Sequence, residues 1–482
     1  MNVLWGYLSS YTYLFLVIIA CGFLQKRHIL SGELSRKIIH ILICFTWCLM
    51  DYFWGRSYHQ IIISASFVII NFLSYKYHFL AGVERASKSH AGTVYYALAM
   101  LALSVASYLY APLYYPFGAA VFVLSFGDGV APLAGGIRKG NLSLTREKTL
   151  YGFLACFVFS FAALALFCLA FGLNAPWFVI LAIAALGAVV ELLSVRGLDN
   201  FFLSFTVALA LLCETSGLVT TAFWTCALLS VFITISALAF RALTHPAAFT
   251  AQAMMRAAAF AMPYTAFCLY VIPFVVIAIV GACKKTSAHT ARGTRQVLIN
   301  GLPALLGFAL YYFTQTEAFF VFGGAALGAC FADSCASDVG TLSRKTPYDF
   351  LRRRTVEKGQ SGGITLLGSC ACIVGAGIVA ATSMIARPLS FAPLFLFVAA
   401  VLGCTLDTVF GSLFQALYRV QIAQEPPEDI TLSIVPVYRY TETPQPMAEL
   451  IKGKAFVTNN AVNLWSSTLA AALAALCYAL LF

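Results

Sequence analysis

The stretch VLWGYLSSYTYLFLVIIACGFL, residues 3–24, contains no charged side chain. A helix needs about 20 predominantly apolar residues to cross the hydrocarbon core of a bilayer. No cleavable signal is evident in this stretch, which is longer than the apolar region of a signal peptide. The stretch therefore predicts a first membrane span that the protein retains.

Similar apolar stretches recur along the whole chain. Of its 482 residues, 61% are hydrophobic and 10% are charged, and the mean hydropathy is +0.87. Soluble domains carry about 25% charged residues, so the composition excludes that class. We expect an all-α polytopic integral membrane protein with about 15–16 transmembrane helices in two bundles. The further predicted spans lie near 38–52, 59–74, 93–110, 115–135, 151–173, 176–194, 200–214, 217–240, 246–282 (long enough for two), 297–313, 317–340, 362–385, 389–418 and 460–482.

The basic residues predict the orientation. With the amino terminus outside, only Arg56 and Arg387 of the 30 Lys and Arg residues fall clearly at outer ends of spans. Most of the others fall in loops that become cytoplasmic: Lys26, Arg27, Arg36, Lys37, Arg85, Lys88, Arg138, Lys139, Arg146, Lys148, Lys284, Lys285, Arg292, Arg295, Arg344, Lys345, Arg352, Arg353, Arg354 and Lys358. The net charge of +11 thus indicates membrane topology rather than nucleic-acid binding. The expected location is a bacterial inner membrane.

The chain divides near RALTHPAAFT, residues 241–250, which predicts two membrane domains, 1–240 and 241–482. Each half has an acid-bearing helix that leads into a basic, glycine-rich loop, followed by a second acid-bearing helix. Asp128 precedes Asp199 by 71 residues, and Asp333 precedes Asp407 by 74. This spacing is a weak repeat signal that favours two related units.

The stretch SFGDGVAPLAGGIRKGNLSLTREKTLYG, residues 125–152, carries the first candidate site. A carboxylate such as Asp128 near a membrane core is costly, and it normally faces a cavity, pairs with a cation or binds a metal. Glycines that follow it let backbone amides approach an anion closely. This combination suits Mg²⁺ with nucleotide phosphates, although the P-loop pattern is absent. The alternative is a tight loop with ordinary basic flanks. The glycines and cations are Gly127, Gly129, Gly135, Gly136, Gly140, Arg138, Lys139, Arg146 and Lys148.

Two neighbouring segments extend this candidate site. SRKIIHI, residues 35–41, places Arg36 and His40 on one helix face with Lys37 beside them, either as a cationic clamp for phosphate or as basic flanking of a span. VELLSVRGLDN, residues 190–200, places acidic and amide side chains at the end of another span. Glu191, Asp199 and Asn200 either complete a metal shell or cap the next helix.

The second half has comparable segments. In CFADSCASDVG, residues 330–340, Asp333, Ser337 and Gly340 share a helix face, whereas Asp338 points elsewhere. A basic loop follows, with Gly359, Gly362 and Gly363 before the next helix, whose amino terminus suits an anion. Small and polar residues also serve close helix packing, which is the alternative. The remaining polar positions are Arg292, Arg295, Gln296 and Asn300 in RGTRQVLING (292–301), Asp407, Gly411 and Gln415 in LDTVFGSLFQ (406–415), and Asn459 and Asn463 in NNAVN (459–463).

The first half resembles the phytol kinase and dolichol kinase family of membrane lipid kinases over about residues 30–215. The resemblance is carried, in order, by RKIIH, HAGTVYYAL (90–98), GDGVAPLAGG, KTLYG and ELLSVRGLDN. Tyr151 and Phe153 stand where that family often has Glu and Ser, and Ser204 where it often has Pro. The resemblance implies roles for Arg36, Lys37, His40, Gly92, Thr93, Asp128, Gly135, Lys148 and Asn200. Together with the loop and span residues above, we expect catalytic roles for Arg36, Lys37, His40 and Lys148, metal binding by Asp128 and Asp199, and nucleotide binding by Gly92, Thr93, Gly127, Gly135, Gly136 and Asn200.

The second half resembles the DUF92 family of integral membrane proteins, which includes plant phytyl-phosphate kinase, over about residues 285–480. The matching segments are QVLING, ADSCASDVG, GQSGGITLLG, DTVFGSLFQ and AVN, with Cys335, Asp338 and Ile364 replacing Trp, Glu and Val. For these polar positions we expect catalytic roles for Arg295 and Asn300, metal binding by Asp333 and Asp407, and cofactor binding by Ser337, Gly340, Gly362, Gly363, Gln415 and Asn463.

Two kinase-like halves in one chain imply successive steps on one substrate. The expected activity is phosphorylation of an isoprenoid alcohol, such as phytol, farnesol or geranylgeraniol, to its monophosphate and then to its diphosphate. The expected cofactors are Mg²⁺ and CTP, or UTP or ATP, as phosphoryl donor. A membrane cytidylyltransferase that acts on a lipid phosphate is one alternative. A secondary transporter is another, although its acids would lie near mid-membrane rather than beside basic loops.

Overall fold

The structure, a computed structural model, describes residues 2–77, 92–137, 140–145, 148–194, 197–283, 291–385, 390–422, 437–442 and 448–482. It divides into two compact units, Met1–Gln252 and Ala253–Phe482. The predicted boundary after residue 240 lies twelve residues before this division. Several loop cations that we named from the sequence lie outside the described residues: Arg85, Lys88, Arg138, Lys139, Arg146, Lys284, Lys285 and Arg387.

Unit 1 is helical throughout its described part. Its helices are α1 (Asn2–Lys26), α2 (Gly32–Leu42), α3 (Phe45–Trp54), α4 (His59–Tyr77), α5 (Gly92–Leu109), α6 (Tyr114–Val123), α7 (Gly129–Gly135), α8 (Leu150–Ala170), α9 (Trp177–Leu193), α10 (Asp199–Thr215), α11 (Thr221–Ala239) and α12 (His245–Ala261), the last of which runs into unit 2. A 3₁₀ turn, Ala111–Leu113, precedes α6, and a π-helical turn, Leu124–Asp128, joins α6 to α7.

Helix α9 forms the core of unit 1. Nearly every side chain from Val179 to Leu193 is buried, because α9 packs against α8, α10 and α11. A helix that is apolar on all sides can be enclosed by other helices or face lipid, and α9 is enclosed. The one acid near its end, Glu191, is therefore buried as well.

Unit 2 contains α13 (Thr265–Cys283), α14 (Thr294–Thr314), α15 (Glu317–Gly340), α16 (Leu366–Ser383), α17 (Ala392–Leu413) and α18 (Asn459–Leu481). Helix α15 is central and contacts α14, α16, α17 and α18. Its glycines permit these contacts, since a Cβ on Gly324 would lie 2.5 Å from Leu396 Cδ2.

Unit 2 also contains five short strands. They are β1 (Tyr348–Asp349), β2 (Arg354–Thr355), β3 (Leu417–Ile422), β4 (Val437–Thr441) and β5 (Glu449–Lys452). Strands β1 and β2 form an antiparallel pair, and β3 pairs antiparallel with both β4 and β5. All five lie between membrane-type helices. The sequence analysis did not predict them, because we sought only apolar spans there.

The all-α membrane class is confirmed. Twelve helical segments of the described residues are long and apolar enough to cross a membrane, and α9 and Thr265–Val280 are shorter apolar helices. Helices α10 and α12 add two of 17 residues each. The twelve segments and the two shorter apolar helices make 14, compared with the 15–16 that the sequence predicted, and α10 and α12 lie where further spans were expected.

Candidate functional site

Asp128 closes the π-helical turn between α6 and α7. A π-helical turn inside a helix inserts extra backbone, and such turns are frequent at functional sites. The Asp128 side chain is only 8% exposed. A buried carboxylate of this kind needs partners, and α2 supplies them.

Two side chains of α2 contact Asp128. Lys37 Nζ donates to Asp128 Oδ2 (3.1 Å) and to its carbonyl oxygen (2.9 Å). His40 Nε2 lies 3.3 Å from the same Oδ2 and 3.3 Å from the Leu124 carbonyl oxygen. Arg36 is half-buried on the same helix. Lys37 and His40, which we predicted as a phosphate clamp, therefore hold the protein's own carboxylate.

Lys148 contacts the other two acids of unit 1. Its Nζ donates to Glu191 Oε1 and to Asp199 Oδ2, the latter at 3.1 Å. Lys148 lies in the loop before α8, directly ahead of the Thr149 cap. Burial opposes its positive charge, but the carboxylates of Glu191, Asp199 and Asp128 outweigh burial and raise the pKa of Lys148 above its ordinary value.

The three acids converge on one point. One oxygen each from Asp128, Glu191 and Asp199 lie within 4.8 Å of one another. Mg²⁺ takes oxygen ligands at about 2.1 Å in octahedral geometry, which places its ligand atoms about 3–4 Å apart. The donor set therefore fits a hard divalent cation. Glu191 stood among our alternatives for a metal shell, but the family resemblance did not assign it.

Asn200 connects α10 to α5. Its Nδ2 donates to the carbonyl oxygens of Gly92 (3.1 Å) and Gly197 (3.3 Å). Gly197 has φ +84°, and a Cβ there would lie 2.8 Å from Gly92 Cα. The predicted pair Gly92 and Asn200 is thus brought together by helix packing. Thr93 is half-buried in the first turn of α5.

The predicted phosphate-loop glycines face α8 in part. A Cβ on Gly127 would lie 2.2 Å from Ser160 Oγ, so only glycine fits there. A Cβ on Gly135 would lie 3.2 Å from Thr149 Oγ1. Gly136 is exposed at the end of α7. Close helix packing accounts for Gly127 and Gly135, and Gly136 alone of the three is open to a ligand.

Unit 2 has a second polar centre on α15, α17 and α18. Ser466 Oγ donates to Asp407 Oδ2 (3.1 Å). With the Asn463 amide oriented to satisfy its neighbours, its nitrogen donates to the same oxygen (3.0 Å) and to the Asn459 carbonyl oxygen (3.1 Å). Asp333 of α15 is half-buried, and α15 packs against both α17 and α18. Hydrogen bonds thus bring Asp407 together with Asn463, and Ser466 is an addition to the predicted residues.

A separate polar cluster lies beside the glycine loop of unit 2. Glu442 accepts from the Ser361 backbone N–H through one oxygen and from Gln415 Nε2 through the other, both at 2.7 Å. Gly362 has φ +91°, and a Cβ there would lie 2.7 Å from Ser412 Cα. Gln415 therefore fixes the loop through Glu442, which sequence analysis missed because Glu442 lies far from any predicted span.

Within the described residues, the contacts of the other predicted residues of unit 2 do not involve Asp407. Arg295 is exposed in the first turn of α14, and Asn300, on the same helix, is half-buried with Oδ1 lacking a partner among the described residues. Ser337 is exposed on α15. Asp338 forms an ion pair with Arg292 (3.9 Å), consistent with the expectation that it points away from Asp333.

The two units share a local arrangement after their first acids. In unit 1, Thr149 accepts from the Gly152 N–H at 3.3 Å, and a Cβ on Gly152 would lie 3.1 Å from the carbonyl oxygen of Ala131, three residues after Asp128. Gly135, seven residues after Asp128, packs on this cap. The acid-bearing helix is thereby locked against the start of α8.

Unit 2 repeats this arrangement with the same spacing. Thr365 accepts from the Gly368 N–H at 3.0 Å, and a Cβ on Gly368 would lie 2.9 Å from the carbonyl oxygen of Ala336, three residues after Asp333. Gly340, seven residues after Asp333, packs on this cap. Glu191 and Asp407 each follow their threonine cap by 42 residues on the next helix. Asp407 therefore corresponds to Glu191, not to Asp199 as its spacing from Asp333 suggested.

The helices, their apolar composition and the two polar centres define the class as a polytopic α-helical integral membrane protein. Residues 228–471, just over half of the chain, match the family described as integral membrane protein DUF92. The chain belongs to this DUF92 family. The match begins within α11, before the division between the two units.

One curated relative is an uncharacterized membrane protein of Methanocaldococcus jannaschii. It is 33% identical over 114 residues, which cover 22% of this chain and 45% of the relative. The chain thus spans less than half the length of that relative. No solved structure matches the chain. The resemblance of residues 30–215 to phytol and dolichol kinases stays a prediction.

Proposed function

We propose that the protein phosphorylates an isoprenoid alcohol in two steps, first to the monophosphate at unit 1 and then to the diphosphate at unit 2. The phosphoryl donor is CTP or another nucleoside triphosphate with Mg²⁺. The observation that carries the proposal is the convergence of Asp128, Glu191 and Asp199 within 4.8 Å beside Lys148.

The chemistry of these groups supports phosphoryl transfer. The three carboxylates carry one more negative charge than Lys37 and Lys148 together balance, so a divalent cation would be stabilised there. A bound Mg²⁺ would supply charge neutralisation for the transferring phosphoryl group. Lys148, at the partly exposed side of the acids, can contact phosphate oxygens. Lys37 and His40 hold the Asp128 carboxylate in place.

Unit 2 is proposed to act on the monophosphate. Asp333 and Asp407 would hold the cation, with Asn463 and Ser466 orienting the Asp407 carboxylate. The attacking group in this step is itself anionic, so more positive charge is needed to bring it to a nucleotide. The loops of unit 2 carry that charge on Arg292, Arg295, Arg352, Arg353, Arg354 and Lys358.

The substrate assignment follows from the membrane setting. An apolar prenyl tail would remain in the bilayer or between helices, while its hydroxyl group reaches the polar centre. Both centres are proposed to face the cytoplasm, where nucleotides are available. Their positions near helix ends and basic loops support this placement, because a transport site would lie near mid-membrane.

A membrane assay tests the proposal directly. The purified protein is incubated with farnesol, geranylgeraniol or phytol and γ-³²P-labelled CTP, UTP, ATP or GTP, and the mono- and diphosphates are separated. We expect label in both products. Transfer of label from α-³²P CTP instead would identify a cytidylyltransferase, and no labelled lipid with any prenol would refute the kinase proposal.

Single-site variants separate the two steps. Asp128→Asn should abolish formation of the monophosphate but leave conversion of added monophosphate to diphosphate. Asp333→Asn should do the reverse. If either variant stops both steps or neither step, the assignment of one step to each unit is wrong.

A further inference from the structure

The Lys148 ammonium contacts two of the three acids that would hold a metal ion. It contacts carboxylate oxygens of Glu191 and Asp199, which with Asp128 make up the three-acid group. A divalent cation bound to the same carboxylates would lie close to the ammonium group, and the two positive charges would repel each other. The two cations are therefore alternatives for the same acids.

The backbone of Lys148 is held by hydrogen bonds, whereas its side chain is partly exposed to solvent. The N–H groups of Leu144 and Thr145 both donate to the Lys148 carbonyl oxygen, at 3.1 and 3.0 Å, and the Lys148 N–H donates to Thr145 Oγ1 at 2.9 Å. The Lys148 side chain is 22% exposed, whereas that of Glu191 is 2% exposed. A flexible four-carbon stem on a fixed backbone allows the ammonium group to move outward while the acids stay in place.

A neighbouring oxygen is also unsatisfied. Asn200, which follows Asp199, is buried, and its Oδ1 has no hydrogen-bond partner among the described residues. A buried acceptor without a partner is costly unless a donor or cation reaches it. The surroundings of Asp199 thus have more oxygen acceptors than Lys148 satisfies.

We propose that Lys148 is a built-in counter-ion that a divalent cation displaces, and that the displaced ammonium group then binds the anionic phosphate of the incoming ligand. Without metal, Lys148 pairs with Glu191 and Asp199, and the negative charge that remains keeps the site closed to anions. With metal, the acids are neutralised and the lysine faces outward. Metal binding therefore precedes and promotes phosphate binding. This inference rests on the proposed metal site of unit 1.

At the position equivalent to Lys148, unit 2 has no lysine that could act as a counter-ion. Thr149 corresponds to Thr365, and the residue before Thr365 is Ile364, where unit 1 has Lys148. An isoleucine side chain carries no charge, so it cannot act as a counter-ion for Asp407. The exchange of cations is thus specific to unit 1.

The test measures binding of Mn²⁺, as a paramagnetic substitute for Mg²⁺, to the full-length protein in detergent by electron paramagnetic resonance. Lys148→Met should bind Mn²⁺ at least about tenfold more tightly than the wild type, because no ammonium group competes. Lys26→Met, at an exposed lysine of α1, is the control and should leave the affinity unchanged. Glu191→Gln should weaken Mn²⁺ binding in either background.

A second measurement uses the wild-type protein and does not depend on how the variant folds. Reductive methylation of Lys148, followed by mass spectrometry, should become several-fold faster when Mn²⁺ saturates the site, and inorganic phosphate should slow it again. Equal affinity of wild type and Lys148→Met for Mn²⁺, or a methylation rate that Mn²⁺ does not change, would overturn the inference while the metal site stands. If Glu191→Gln leaves Mn²⁺ binding unchanged, the metal site itself is refuted.

Discussion

The ion pair between Lys37 and Asp128 can be broken by substituting either of the two residues. Asp128→Asn keeps the shape of the side chain but removes its charge, and Lys37, only 6% exposed, is left without a carboxylate partner. Removing one partner of a buried pair costs about 3–5 kcal/mol, since the other charge stays buried and uncompensated. We expect this loss of unfolding free energy for Asp128→Asn and a similar loss for Lys37→Met.

The double variant Asp128→Asn/Lys37→Met distinguishes the pair from its parts. With both charges gone, no buried charge lacks a counter-charge, so the double variant should be less destabilised than the sum of the singles by at least about 2 kcal/mol. The measurement is denaturant unfolding in detergent, followed by tryptophan fluorescence. Arg419→Gln, which breaks the exposed pair with Glu449, is the control and should cost less than about 1 kcal/mol.

Additive single effects would refute this reasoning, because they would show that Lys37 and Asp128 do not stabilise each other. Activity gives an independent outcome. The double variant should remain unable to form the monophosphate even though its stability recovers, since Asp128 is proposed to bind the cation. Recovered activity in the double variant would show that Asp128 matters only for folding.

Further predictions concern both units. Asp407→Asn should abolish conversion of monophosphate to diphosphate with a stability loss of about 1 kcal/mol or less, measured by the same label assay and unfolding, because Asn retains an acceptor oxygen. Gly362→Ala should destabilise by at least about 2 kcal/mol because φ is +91° and Ser412 backbone blocks the Cβ, whereas Gly377→Ala, with open space around it, should not. Glu442→Gln should cost about 1–3 kcal/mol of unfolding free energy. Because the pKa of Lys148 is raised, its ion pairs stabilise the fold fully at any pH below its ordinary pKa of 10.5, and they weaken only as the pH rises through the raised pKa. Lys148→Met should therefore lose the same unfolding free energy at about pH 7 and at about pH 9.

The fold class could be predicted because the membrane imposes a simple rule on sequence. Uncharged stretches of about 20 residues mark helices, and the structure has helices at those places. The strands β3 to β5 could not be predicted this way, since they are short and lie outside the predicted spans. Helix α9 is also instructive: hydropathy identified it, but only packing shows that it is the core of unit 1.

The candidate site was predictable as a set of residues but not as a set of contacts. An acid such as Asp128 in an apolar stretch stands out, and so do the cations of α2. Hydropathy and spacing do not tell which cation pairs with which acid, because Lys37, Lys148 and their partners are 43 to 91 residues apart. Glu442 gave no signal at all, since a single acid in a polar loop is ordinary.

The comparison of the two units shows how a spacing argument can choose the wrong counterpart. Asp199 and Asp407 are at nearly equal distances from the first acids of their units, which led us to pair them. The threonine caps provide a better reference point, because each fixes the start of a helix against the acid-bearing helix at atomic contact distance. Counted from those caps, Glu191 and Asp407 occupy equivalent positions, and so do Lys148 and Ile364. Because unit 1 has a lysine at this position and unit 2 an isoleucine, the two polar centres cannot be neutralised in the same way. Within each unit, the acid-bearing helix is nevertheless fixed against the next helix by the same contacts.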